Sequence, residues 1–269
     1  MSSGCAKRRV ASVGFVNARP LIWGLDEDHD IELQLDVPSR LLRRVQDGSA
    51  DVALLPAIDY QRDPSLRIIP VGGIGCDGHT LTVRLFAKQP IERTRVLACD
   101  PDSHTSVALA QIILAERHGV KPRLVPLDQA SGADDEARLL IGDKVVCEEP
   151  AGFEHQYDLG FEWKQLTGLP FVFAVWMCRE GTALDDLPRR LEQARHDGLR
   201  HVEQIISKYA VPRGWPAGVA LQYLTMYLKY EIAAPQRAAI NRFHELAFRH
   251  GLLPGAPRPL LEARWVAAR

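Results

Sequence analysis

A chain of 269 residues with 46% hydrophobic content can bury one large or two modest α/β cores. Its 33 basic and 34 acidic residues nearly cancel and no Lys/Arg stripe interleaves with aromatics, so nucleic acid is not expected as a partner. No apolar run reaches the length of a membrane span, and the basic start, Met1 to Arg9, leads into a stretch broken at Asn17, Arg19 and Pro20 before a secretory apolar region could form; a cytoplasmic protein with no membrane partner is expected.

Residues 9–16 read as a buried strand, and Pro20 suits the first turn of a helix. Residues 31–37 alternate as a second strand. Ser39 can cap a helix that places Leu41, Leu42 and Val45 on one face and stops at Gly48. Residues 50–56 come next as a strand, so strand, capped helix and strand make a right-handed crossover with loops at the strand ends. Two further strands, 66–75 and 80–88, flank the tight segment 76–79. The pattern restarts after Pro90 with a strand ending at Asp100, a helix over 107–119, and strands at 123–127 and 137–143. Residues 171–178 form a strong strand leading back to the first unit. Helical patterns at 187–209, 217–230 and 235–250 are expected to cover the first sheet.

This order predicts an α/β fold in two lobes. The first comprises 1–88 and 179–269, including the C-terminal helices; the second, 89–178, is inserted. A chain that leaves one lobe and returns makes a double hinge, with a ligand cleft between the lobes.

Five cysteines, Cys5, Cys76, Cys99, Cys147 and Cys178, form no CxxC pair and have no His at ligand spacing, so they read as reduced apolar residues with no metal site expected. The glycines at 72, 73 and 75 lead into another strand and not into a helix, which does not fit a dinucleotide loop. No phosphate loop, nucleophile elbow or HExxH helix occurs, and no cofactor is implied.

Candidate site residues lie at strand ends. Asn17 comes just after the first strand, and its amide can donate and accept together, although Asn is also a common turn-former. The cluster Ser103, His104, Thr105 and Ser106 opens a long helix, where hydroxyls and free N–H groups would face an anion; simple capping by Ser103 or Thr105 uses the same residues. Ser39 carries the same ambiguity, and two facing helix N-termini would suit a ligand with two carboxylates. Asp77 and Gly78 form a turn that enters a strand with Thr80 and Thr82 on one face, an arrangement that an ordinary hairpin shares. His79 and His104 are candidate general bases as imidazoles, yet neither is paired in sequence with an obvious orienting carboxylate. Asp143 ends a strand, and Trp163, Phe171, Phe173 and Trp176 near the return strand could wall a planar ring or fill the core.

Taken in order, SVGFVNARPL, PSRLLRRVQDGSADVALLPAIDY, CDGHTLTVRLF, DPDSHTSVALAQIIL, ARLLIGD and WKQLTGLPFVFAVW resemble the chorismate dehydratase family over about two thirds of the chain. The resemblance implies a two-lobed, type II periplasmic-binding-protein-like fold working in the cytoplasm. It implies loss of water from chorismate to give 3-[(1-carboxyvinyl)oxy]benzoate, at the start of the futalosine route to menaquinone. Asn17 then falls at a polar active-site position and Thr82 where Ser is usual, keeping the hydroxyl and adding a methyl. Ser39, Asp77, Gly78, Ser103, Thr105, Ser106, Asp143 and Phe173 are the substrate-binding candidates. With no base evident in sequence, the substrate's enolpyruvyl carboxylate is expected to take the proton while Asn17 orients that carboxylate or the leaving hydroxyl. Two alternatives share the scaffold, namely 1,4-dihydroxy-6-naphthoate synthase and a non-catalytic small-anion-binding module. A homodimer is left open.

Overall fold

Short aliphatic runs pair into two sheets in the computed structural model, which describes residues 7–100, 103–131, 136–148 and 150–264. Cys5 lies outside the described residues. In chain order the strands are β1 (Arg8–Ser12), β2 (Ile31–Leu35), β3 (Val52–Pro56), β4 (Leu66–Cys76), β5 (Val83–Ala87), β6 (Val96–Cys99), β7 (Arg123–Pro126), β8 (Ala137–Ile141), β9 (His155–Asp158), β10 (Phe171–Arg179) and β11 (Leu228–Lys229). The first sheet runs β11-β4-β10-β3-β1-β2 and the second β7-β6-β8-β5-β9. Position explains composition: β3, with Val, Ala, Leu, Leu and Pro all buried, is central, whereas the edge strand β2 buries Ile31 alone.

The helices are α1 (Pro38–Gln46), α2 (Asp59–Arg62), α3 (His104–His118), α4 (Lys144–Cys147), α5 (Leu159–Thr167), α6 (Leu187–Arg200), α7 (Val202–Ile205), α8 (Ala217–Gln222) and α9 (Ala234–Arg249). α1 carries the chain between the parallel strands β2 and β3 beside β1, burying Leu41 and Val45. Its cap is Val37, with Ser39 at the second helical residue making no capping bond. α3 ends where Gly119 takes the left-handed conformation at φ 68°.

One strand, β5, joins a sheet that its place in the sequence does not announce, and the return strand β10 takes a central place in the first sheet. β5 pairs with β8 and β9 in the second sheet, and β10 inserts antiparallel between β3 and β4 in the first. The chain therefore crosses between sheets at residues 77–82 and again between α5 and β10. The last helix also differs from expectation. Phe243, Leu246 and Ala247 of α9 pack with Leu109, Ile113, Trp163 and Phe171 in the core beside the second sheet, while Ile240 joins the core of the first and the helix also rests on β10, so α9 bridges both. Where a helix was expected from Pro20, residues Val16–Leu21 form a short 3-10 turn packed against α6. A Cβ at Gly198 of α6 would overlap the Pro20 carbonyl, so only glycine lets the turn approach this closely.

Candidate active site

The strand after Thr80 begins only at Val83, and the reason lies in the backbone. Leu81 is held at φ 65°, a left-handed conformation that costs a non-glycine residue about 1–2 kcal/mol and cannot continue a strand. Asp158 holds it there. Its carboxylate accepts from the N–H groups of Thr80 at 3.0 Å and Leu81 at 2.8 Å, while also capping α5 through Gly160 and Phe161. The Thr82 N–H donates back to the Thr80 carbonyl at 2.7 Å, closing the turn. Thr80 and Thr82 thereby become buried and both line one cavity between the sheets.

That cavity gathers residues from both sides. The first sheet and its loops supply Val13, Phe15, Asn17, Pro38, Leu54, Pro56, Ile74, Phe173 and Ala174; the crossing turn, β8 and α3 supply Thr80, Thr82, Ile141, Gly142, Ser103, His104, Thr105 and Ser106. Tyr223 and Leu228 close it from the C-terminal region. Among these described residues no Lys or Arg appears, so a carboxylate entering here would be met by hydroxyls, an amide and the N-terminus of α3, in surroundings dry enough to strengthen each contact.

Three arrangements define what the cavity can do. First, the Asn17 Oδ1 is buried without a hydrogen-bond partner among the described residues, which leaves an acceptor for a group entering the cavity. Second, Ser103 occupies the cap position of α3 yet its hydroxyl makes no capping bond, which leaves both it and the first helical N–H groups for an anion. Thr105 behaves differently: its Oγ1 accepts from the Ile58 N–H at 3.3 Å, tying α3 to the loop after β3. Third, Thr82 Oγ1 and the Tyr223 hydroxyl share a 2.6 Å hydrogen bond. Burial pushes the Tyr223 phenol well up from its ordinary value, opposed by hydrogen bonding to Thr82 and Asn17, so it stays protonated and serves as a neutral donor.

His104 lines the same cavity. Its Nδ1 lies 3.0 Å and 3.1 Å from the two oxygens of Asp59, a fully buried carboxylate that also accepts from Arg62 Nη1 at 2.9 Å. The sequence shows no such partner because Asp59 stands 45 positions away.

The remaining candidates lie off the cavity. Ser39 is half-buried behind Pro38, Asp77 pairs with Lys164 at 2.6 Å, and Gly78 supplies the positive φ, 108°, of the crossing turn. Asp143 comes after Gly142 and faces Arg213 at 3.6 Å; burial raises its carboxyl from the usual range and the Arg213 charge opposes the shift. His79 stacks on Phe161 outside the cleft. Of the aromatics, Phe173 reaches the cavity, whereas Trp163, Phe171 and Trp176 are core. Sequence reasoning passed over Tyr223, Phe15 and Asp59. For Tyr223 the only local signal is a helix that widens into a π turn at Tyr223–Tyr227, a feature often found at functional sites.

A family model described as menaquinone biosynthesis matches residues 8–249. The chain belongs to this menaquinone biosynthesis family. Similar proteins include a chorismate dehydratase of Thermus thermophilus, 29% identical over 231 residues that cover 78% of this chain and 84% of the relative. Another, from Campylobacter jejuni, is 24% identical over 217 residues, 80% of this chain and 82% of the relative. The fold is that of periplasmic binding proteins: the aliphatic sulphonate-binding protein SsuA of Escherichia coli superposes with a TM-score of 0.66 at 16% identity, covering 99% of this chain and 97% of its own.

Proposed function

We propose that this protein is a chorismate dehydratase, a carbon-oxygen lyase acting on a dissolved small molecule in the cytoplasm. The observation that carries the reading is the partnerless Asn17 Oδ1 beside the Thr82–Tyr223 pair, opposite the uncapped start of α3. Chorismate offers a hydroxyl to donate to that oxygen and two carboxylates for the hydroxyl-rich wall.

The chemistry asks for positioning above all. The proton beside the enol ether is activated by conjugation to the ring carboxylate, and its loss with the neighbouring hydroxyl makes the ring aromatic. Charge flows toward the ring carboxylate as the proton leaves. Ser103, Ser106 and the N–H groups of α3 hold that carboxylate, and fixed donors of this kind contribute about 2.7–4 kcal/mol each where charge develops. Asn17 accepts from the hydroxyl that departs and so fixes the ring, while Thr82, backed by Tyr223, donates to the substrate's side chain. Phe173 and Phe15 flank the ring. The enolpyruvyl carboxylate, held beside its own ring proton, takes that proton, and lobe closure keeps the flexible side chain in a reactive pose.

Incubation of the purified protein with chorismate, followed by chromatography and ultraviolet absorbance, tests the assignment. Appearance of the carboxyvinyloxy-benzoate is the expected result. Consumption of cyclic dehypoxanthine futalosine in its place would transfer the protein to the sister synthase, and inertness toward both would make it a binding module.

A further inference from the structure

The dehydration leaves one proton transfer unassigned. The departing hydroxyl is a poor leaving group as hydroxide and needs a proton as the C–O bond breaks. Among the described residues lining the cavity, His104 is the one imidazole and there is no carboxylate, while burial holds the Tyr223 proton in place. His104 is built for proton transfer. Nδ1 is fixed by the buried Asp59 carboxylate, which orients the ring as a base-orienting carboxylate does in other enzymes. Nε2 has no hydrogen-bond partner among the described residues. On its other side the ring borders a second hollow lined by Ile58, Arg62, Val107 and Gln111, and the side chain is 22% exposed, so solvent can return a proton between turnovers.

We infer that His104, positioned by Asp59, is the general acid of the reaction. This rests on the dehydratase reading. The C–H bond beside the enol ether breaks, its electron pair passes into the ring, and the proton goes to the enolpyruvyl carboxylate. The electron pair then expels the neighbouring oxygen, which takes the Nε2 proton of the His104 imidazolium and departs as water. Neutral His104 regains a proton, and the carboxylic acid loses one, through solvent. Asp59 acts as a positioning residue whose charge offsets that of the imidazolium.

The test separates proton donation from mere shape. His104→Gln and His104→Ala are assayed with chorismate and with the analogue carrying fluorine in place of the leaving hydroxyl, since fluoride departs without needing a full proton. With chorismate, kcat is expected to fall about 10²–10³-fold with KM nearly unchanged, the usual size of a general-acid contribution. With the fluoro analogue the loss is expected to stay within about tenfold, and free imidazole to restore part of the His104→Ala rate. Asp59→Asn is expected to show the same substrate dependence in weaker form, with an unchanged circular dichroism spectrum. Variant kcat on chorismate near that of the parent protein, or equal losses on both substrates without imidazole rescue, would overturn the inference. A parent protein that does not turn over chorismate at all would instead remove the dehydratase reading on which it stands.

Discussion

The two walls of the cleft solve different problems with different chemistry. The wall from the first sheet is apolar, formed by Val13, Phe15, Leu54, Pro56, Ile74 and Phe173, and it offers a single buried amide, Asn17. The opposite wall is crowded with hydroxyls from Thr80, Thr82, Ser103, Thr105 and Ser106, and with the imidazole of His104. An apolar face with one polar atom can fix the rotation of a ring, whereas a face of neutral donors can hold anions. On the dehydratase reading proposed above, the division assigns orientation to one wall and charge to the other, so the complete site would exist only when both touch the substrate.

Asn17→Asp should break the first wall most severely. It places a negative charge where a buried neutral oxygen stood, beside an anionic substrate, and kcat/KM for chorismate is expected to drop about 10³-fold, measured by steady-state kinetics. Retained turnover with weakened binding alone would deny Asn17 a part in the reaction.

A large effect is expected from the packing that joins the walls. His244 of α9 is buried and neutral, with its Nε2–H donating to the Ala57 carbonyl at 2.9 Å while Nδ1 accepts from Gln61 at 2.9 Å. Burial lowers it from 6.5 to about 4. The unfolded chain therefore binds the proton first, so this contribution is complete above pH 6.5 and is lost as pH falls toward 4, on the order of 3 kcal/mol at about 1.4 kcal/mol per pH unit. Denaturant melts between pH 7 and 4 should show the loss, and His244→Gln should flatten it.

Ser103→Ala sharpens the second wall. If this hydroxyl binds a carboxylate, KM for chorismate should rise about tenfold, corresponding to one hydrogen bond to a charged group. Thermal stability should hardly change, because the hydroxyl makes no cap. A stability loss of about 1 kcal/mol with unaltered KM would assign it to capping instead.

Leu81→Gly has the smallest effect. Release of the left-handed strain is offset by the freer unfolded chain and by loss of the Leu81 side chain from its place against the first core, so stability in urea titrations should change by less than about 1 kcal/mol, while a looser turn lets Thr80 and Thr82 wander and lowers kcat a few fold. Destabilisation beyond that would show that Leu81 matters for packing more than for backbone geometry.

The sequence by itself determined the alternation of strands and helices, the return strand, and the polar residues at strand ends. These features are local: a period of two or 3.6, a capping position or a glycine with positive φ is written within a few residues. It also placed Asn17 just after a strand, Thr82 on a strand entered from a turn and the Ser103–Ser106 cluster at the start of a helix, and motifs spread over about two thirds of the chain carried the family. Only the tertiary structure decided that β5 would join the second sheet, that α9 would bridge the two cores, and that Ser39, Asp77 and Asp143 would stand off the cavity. It alone brought Tyr223 to Thr82 across 141 positions and Asp59 to His104 across 45. Such contacts arise from how the crossing turn and the last helices pack, and pairing between distant residues leaves no mark on the local pattern of either one.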